Sequence, residues 1–256
     1  MGALTGQHAI ITGGGSGIGL ACAEVFLSQG AQVTLVGRTE SRLIAAVDQL
    51  EQRARYQVVD IGDEDSIARA IQQAHEHAPL TIAIANAGTG SAGPFLDTDS
   101  TEWHRVMQTN LSGTFYTFKH AGRAIAASGG GAMCAVSSIA GLRSHKLMSA
   151  YCTSKAAVDM LVRNTADELG NMGIRVNSVC PGLVETELSQ GLQDNSAMLN
   201  DYLGCMPIAR TGMPNDVAQA ISFLCGPDAS WITGVSLPVD GGHHLRRGPN
   251  LEVMAG

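Results

Sequence analysis

No stretch of the 256-residue chain is apolar for long enough to cross a membrane, so no spanning helix is expected. Residues Met1 to Thr12 carry no charged leader segment and no cleavage site, and they run directly into a strand-like stretch. The six cysteines (Cys22, Cys134, Cys152, Cys180, Cys205 and Cys225) lie far apart and form no Cys-x-x-Cys pair. They read as reduced thiols, which points to a cytoplasmic protein. Histidines cluster only at His75-Glu76-His77 and His243-His244, with no matching ligands near them in sequence, so no metal site is expected. Charge is scarce at 15% of residues, and 16 basic against 23 acidic side chains give a net charge of -7. That balance argues against nucleic acid as the main partner.

What the chain does have is a buried-core composition, 45% hydrophobic. Short apolar β-type runs alternate with longer helical ones, the pattern of βαβ units around a parallel sheet. Strands are expected at His8 to Thr12, Gln32 to Val36, Tyr56 to Val59, Leu80 to Ala85, Ala132 to Ser137, Arg175 to Val179 and Val235 to Val239. Helices are expected at Gly17 to Gln29, Ser41 to Gln52, Asp65 to His77, Glu102 to Ser128, from about Tyr151 to Met172, and Pro214 to Cys225. Leu183 to Pro207 shows no clean strand. With no repeat or linker, residues 1–256 read as one α/β domain with a doubly wound parallel sheet.

The first strand runs into Thr12-Gly13-Gly14-Gly15-Ser16-Gly17-Ile18-Gly19 and then a helix. That context suits a turn whose backbone N–H groups approach a pyrophosphate. The second strand ends in Gly37-Arg38-Thr39. An acidic residue here would hold a ribose 2′-hydroxyl, whereas an arginine accommodates a 2′-phosphate. The reading therefore favours NADP over NAD, with Thr39 expected to cap the next helix and Glu40 the residue that could reverse it. Asp60-Ile61 ends the third strand, with Asp60 either accepting from an adenine amino group or making a turn. Asn86-Ala87-Gly88 ends the fourth in small residues that allow close backbone approach.

Tyr151 and Lys155 stand four residues apart, on one helix face. A nearby ammonium stabilises a phenolate, so Lys155 is expected to lower the Tyr151 pKa and let it exchange protons near neutrality.

Taken together, the coenzyme-type loop at 12–19, Asn86-Ala87-Gly88, Asn110, Ser138 thirteen residues before Tyr151, the Tyr151/Lys155 pair and Pro181-Gly182-Leu183-Val184-Glu185-Thr186 make the chain resemble the short-chain dehydrogenase/reductase family over nearly its whole length. Ala85 departs from the asparagine usual in that family. The resemblance implies a Rossmann-like fold and hydride transfer between a nicotinamide and a carbinol or carbonyl carbon. Catalysis would fall to Asn110, Ser138, Tyr151 and Lys155, with Asn110 kinking its helix and holding a water that leads to Lys155. The coenzyme would lie against Gly13, Gly15, Ser16, Gly17, Ile18, Gly19, Arg38, Thr39, Asp60, Ile61, Asn86, Ala87, Gly88, Tyr151, Lys155, Pro181, Gly182, Val184 and Thr186.

Residues 183–207 correspond to the family's substrate-covering lid, whose apolar side chains either close over a substrate or pack onto the body. Ser138, His145, Leu147, Met148, Tyr151, Leu183, Leu188 and Tyr202 are the expected substrate contacts. With only Arg143 and Lys146 as nearby cations, a neutral, hydrophobic or cyclic secondary alcohol or ketone is the expected substrate. Alternatives are a 3-oxoacyl-thioester reductase of fatty-acid metabolism and a non-catalytic dinucleotide-sensing protein. The family's habit implies a homo-oligomer, dimeric or tetrameric. The tail at 243–256 either reaches a neighbouring subunit or is disordered.

Overall fold

Five consecutive buried residues, His8–Thr12, form β1, and its flanking strands are nearly as apolar. Strands with no solvent face belong in the middle of a parallel sheet covered on both sides. The computed structural model of the protein, which describes residues 2–246, has that arrangement. The further strands are β2 (Gln32–Gly37), β3 (Ala54–Val58), β4 (Ile82–Ala85), β5 (Gly131–Val136), β6 (Ile174–Pro181) and β7 (Ser236–Val239). All pair in parallel in the order β3-β2-β1-β4-β5-β6-β7. The order reverses between β1 and β4, and a crevice opens there at the carboxyl ends of the strands.

Helices α1 (Gly17–Ser28), α2 (Glu40–Gln49) and α10 (Pro214–Cys225) pack one face through Cys22, Phe26, Leu43, Val217 and Ile221. Helices α3 (Glu64–His77), α5 (Gly113–Ala127) and α7 (Ser149–Leu169) pack the other through Ile67, Ile71, Phe118, Val158 and Val162. The local code is plain in α3. Asp63 caps it by accepting from the Asp65 and Ser66 N–H groups, and Ile67, Ala70, Ile71 and Ala74 return at helical spacing to bury one stripe.

Two expected helices differ in shape. α2 stops at Gln49 because Glu51 and Gln52 turn left-handed, at φ 55 and 59. The long helix expected at 102–128 is α4 (Ser100–Met107) and α5 joined by a π-turn at Gln108–Ser112, with Asn110 at its centre. A short α6 (Ile139–Leu142) follows β5. The 183–207 segment is helical, with α8 (Gln190–Gln193) and α9 (Ser196–Cys205), and no residue of either is buried. Of the 243–256 tail, only 243–246 falls within the described residues, where His243–Leu245 make a 3-10 turn. The rest of that tail lies outside them. Among the described residues no helix is long and apolar enough to cross a membrane.

Candidate active site

One cavity of about 560 Å³ runs along the carboxyl ends of the strands, a size suited to a dinucleotide fragment with a small ligand. Its floor is the turn after β1. Gly13 and Gly17 take positive φ (65 and 52), a conformation that favours glycine. A side chain at Gly19 would collide with the Gly13 carbonyl, so loop and helix can meet this closely only without one. Ser16 sits at the N-cap of α1 without bonding to it, and no acidic residue occupies the first turn. The helix therefore presents unspoken-for N–H groups and the positive end of its dipole to the crevice. These features fit the diphosphate of a nicotinamide dinucleotide.

The loop is braced from β4. Asn86 Nδ2 donates to the Thr12 and Gly13 carbonyls at 3.0 and 3.1 Å, and the Thr12 hydroxyl accepts from the Asn86 and Ala87 N–H groups. The Asn86 side chain is thus committed to shaping the loop, leaving the 86–88 backbone to line the cavity.

At the end of β2, Arg38 and Thr39 line the cavity and Glu40 does not. Thr39 occupies the N-cap of α2, yet its hydroxyl makes no capping bond, contrary to the expected one. Asp60 makes the turn considered for it, its Oδ1 accepting from the Gly62 N–H, and it also lines the cavity.

The side chains expected to be catalytic are brought together by β5 and α7. Ser138 follows β5 and caps α6, its Oγ accepting from the Ala140 N–H at 3.1 Å. It is also hydrogen-bonded to Tyr151. Lys155 sits one turn along α7 with its Nζ 5.7 Å from the Tyr151 ring centroid, donating to the Val136 carbonyl at 2.8 Å. Ser137, pointing away from Ser138, pins the same turn through the Lys155 carbonyl.

Electrostatics correct one expectation. Desolvation pushes the Tyr151 phenol up, with the Ser138 hydrogen bond pulling it back, and Lys155 is not among the groups that set it. The shift falls instead on Lys155, which burial lowers to about 8 against the opposing attraction of Asp159.

Asn110 lies under the cavity rather than on its wall. It is 1% exposed, its Oδ1 accepts from the Thr89 N–H at 2.8 Å, and its Nδ2 donates to the Thr89 carbonyl and Ser154 Oγ. Ser154 in turn donates to the Tyr151 carbonyl, so the π-turn helps hold α7.

Pro181, Gly182, Val184 and Thr186 line the cavity after β6. Of the expected substrate contacts, Ser138, His145, Met148, Tyr151, Leu183, Leu188 and Tyr202 do as well. Leu147 does not. At φ 69 its backbone turns left-handed, its carbonyl accepts from the Gly93 N–H, and its side chain is half exposed. The apolar residues of 183–207 divide: Leu188, Leu192 and Tyr202 face the cavity while Met206 is buried in the body. Arg143 turns away to the His243 and Arg246 carbonyls.

Arg42, Thr89, Ile139 and Glu187 also line the cavity, although the sequence reading did not single them out as contacts. Arg42 stands four residues after Arg38, in the first turn of α2, a signal that was available. Glu187 carried none. Among the described residues no cluster of side chains could hold a metal ion.

An open helix N-terminus over a glycine turn, beside a serine, tyrosine and lysine at one cavity, defines a nicotinamide-dependent oxidoreductase. The family model described as enoyl-(acyl carrier protein) reductase matches residues 13–244. The galactitol 2-dehydrogenase (L-tagatose-forming) of Cereibacter sphaeroides is 35% identical, over 94% of this chain and 96% of that one. The cis-4-hydroxycyclohexanecarboxylate dehydrogenase of Sinomonas cyclohexanicum is 37% identical, over 92% and 95%. A solved short-chain type dehydrogenase/reductase from Mycobacterium ulcerans superposes with a TM-score of 0.93 at 39% identity, covering 98% of this chain and 94% of that one. The chain belongs to the short-chain dehydrogenase/reductase family.

Proposed function

We propose that the protein is an NADP(H)-dependent oxidoreductase acting on a neutral secondary alcohol or ketone of hydrophobic, compact or cyclic shape. The observation that carries the substrate reading is the cavity's polarity. Ile139, Met148, Leu183, Leu188 and Leu192 line it together with Ser138 and Tyr151, whereas its arginines, Arg38 and Arg42, come from the β2–α2 end. An anionic substrate would need a cation beside Tyr151 other than Lys155. The coenzyme reading rests on Arg38 and Thr39 lining the cavity where a carboxylate would repel a 2′-phosphate.

Bound at the glycine turn, the nicotinamide coenzyme would supply or accept the hydride. Tyr151 then gives a proton to the developing alkoxide in reduction, or takes the alcohol proton in oxidation. Ser138 donates to the reacting oxygen and aims it at Tyr151. The raised phenol suits an acid that stays protonated at neutral pH. Lys155, charged below about pH 8, would hold the ribose hydroxyls. Asn110 positions α7 through Ser154 and provides the route by which a water reaches Lys155. Residues 183–207 act as the lid.

Relatives that are 3-oxoacyl-(acyl-carrier-protein) reductases, such as that of Chlamydia trachomatis at 32% identity, favour a second reading, a 3-oxoacyl-thioester reductase. Specificity constants for cyclic ketones and a 3-oxoacyl thioester, each with NADPH and NADH, separate the two. The proposal expects cyclic ketones with NADPH to lead. A thioester preference overturns the substrate reading, and an NADH preference overturns the coenzyme reading. Coenzyme binding without turnover on any substrate would support the dinucleotide-sensing alternative, against which the complete Ser138, Tyr151 and Lys155 set weighs. The exposed Leu96, Phe115 and Trp231 and the free cysteines support a cytoplasmic homo-oligomer, dimeric or tetrameric, which light scattering tests.

A further inference from the structure

The glycine turn has a roof built from two distant parts of the chain. On one side, a side chain at Gly15 would touch Arg42 Cβ at 3.3 Å, so the first turn of α2 lies against the loop. On the other, a side chain at Gly17 would touch Thr186 Cγ2 at 3.2 Å, so the root of the lid lies against it too. Between these contacts Arg42 Nη1 meets Glu187 Oε2 at 2.7 Å, and both residues line the cavity. The pair therefore joins α2 to the lid across Ser16, over the open N-terminus of α1.

The lid side of this link is a stiff unit. Ser189 Oγ donates to the Val184 and Thr186 carbonyls, and Gln193 Nε2 donates to Ser189 Oγ at 2.6 Å. A force applied at Glu187 is thus carried to Leu188 and Leu192, which line the same cavity.

We propose that Arg42 and Glu187 are positioning residues forming a clasp over the coenzyme cleft, which slows coenzyme escape and seats the lid for substrate. The two side chains are 55% and 65% exposed, so the clasp is weak enough to open on each cycle. Arg42 uses one guanidinium nitrogen for Glu187, which leaves further donors for a coenzyme phosphate. This inference needs only that a nicotinamide coenzyme binds, and it stands apart from the identity of the substrate.

The test is the dissociation rate of NADPH and of NADH, followed by stopped-flow fluorescence during displacement, in Glu187→Gln, Arg42→Gln and the double variant. Both sites are on the surface, and thermal melts would verify folding. The clasp predicts a rate about 2- to 5-fold faster in Glu187→Gln. It also predicts that the double variant is no faster than Arg42→Gln alone, because removing either partner removes the pair. An unchanged or slower rate in Glu187→Gln would mean that Glu187 does not hold the cleft closed, or draws Arg42 away from the coenzyme. Effects that multiply in the double variant would mean that the two act independently. Either result overturns the clasp.

Discussion

Replacing Lys155 with methionine should abolish turnover and raise stability at neutral pH. Burial lowers Lys155 from the ordinary 10.5 to about 8, with the attraction of Asp159 already included. That displacement corresponds to a penalty of roughly 3 kcal/mol on the charged form at about pH 7. Methionine removes the charge and loses the hydrogen bond from Nζ to the Val136 carbonyl, a loss of about 1 kcal/mol. The net gain is about 2 kcal/mol, or roughly 4–8 °C in melting temperature for a chain of this size. The pH dependence follows from linkage. Between about 8 and 10.5 the unfolded chain holds the lysine proton and the native one does not, so wild-type stability rises through that window. The variant lacks this contribution, so the gap should narrow by about 2 kcal/mol and the two proteins melt nearly together at about pH 10. Thermal unfolding by circular dichroism at both pH values measures it. A variant that melts below wild type at neutral pH, or a gap that ignores pH, would refute the buried-charge reasoning.

Two further outcomes are expected. Arg38→Gln should weaken NADPH binding about 10- to 100-fold, since a charged hydrogen bond to phosphate is lost, while NADH binding changes less than about twofold; fluorescence titration reads both. Asn86→Ala leaves the Thr12 and Gly13 carbonyls without their amide donor, and should destabilise the protein by about 1–3 kcal/mol in denaturant unfolding.

The sheet was readable because its signals are local. His8–Thr12 carries the apolar run Ala9-Ile10-Ile11, Pro214 opens α10, and the glycines of 13–19 mark the turn. The Tyr151/Lys155 pair was readable for the same reason, because helical spacing alone puts both on one face. What stayed hidden depends on tertiary surroundings. The lowered Lys155 comes from burial beneath Val136, which no spacing reports. Arg42 and Glu187 meet only after the sheet has brought α2 and the lid together. Leu147 sits between pocket residues in sequence, yet a single left-handed backbone turn takes it out of the cavity. The π-turn at Asn110 was anticipated as a kink, but the binding of its amide to Thr89 and Ser154 was not.

The central claim is that Tyr151 supplies the proton for hydride transfer at this cavity. Reduction of a cyclic ketone with NADPH deuterated at the transferable nicotinamide position, followed by mass spectrometry of the alcohol, tests it in wild type and in Tyr151→Phe. The account predicts deuterium on the carbinol carbon in wild type, and a rate at least about 100-fold lower in the variant, which still binds coenzyme. Product without the label, or a Tyr151→Phe enzyme that turns over at the wild-type rate, would contradict it.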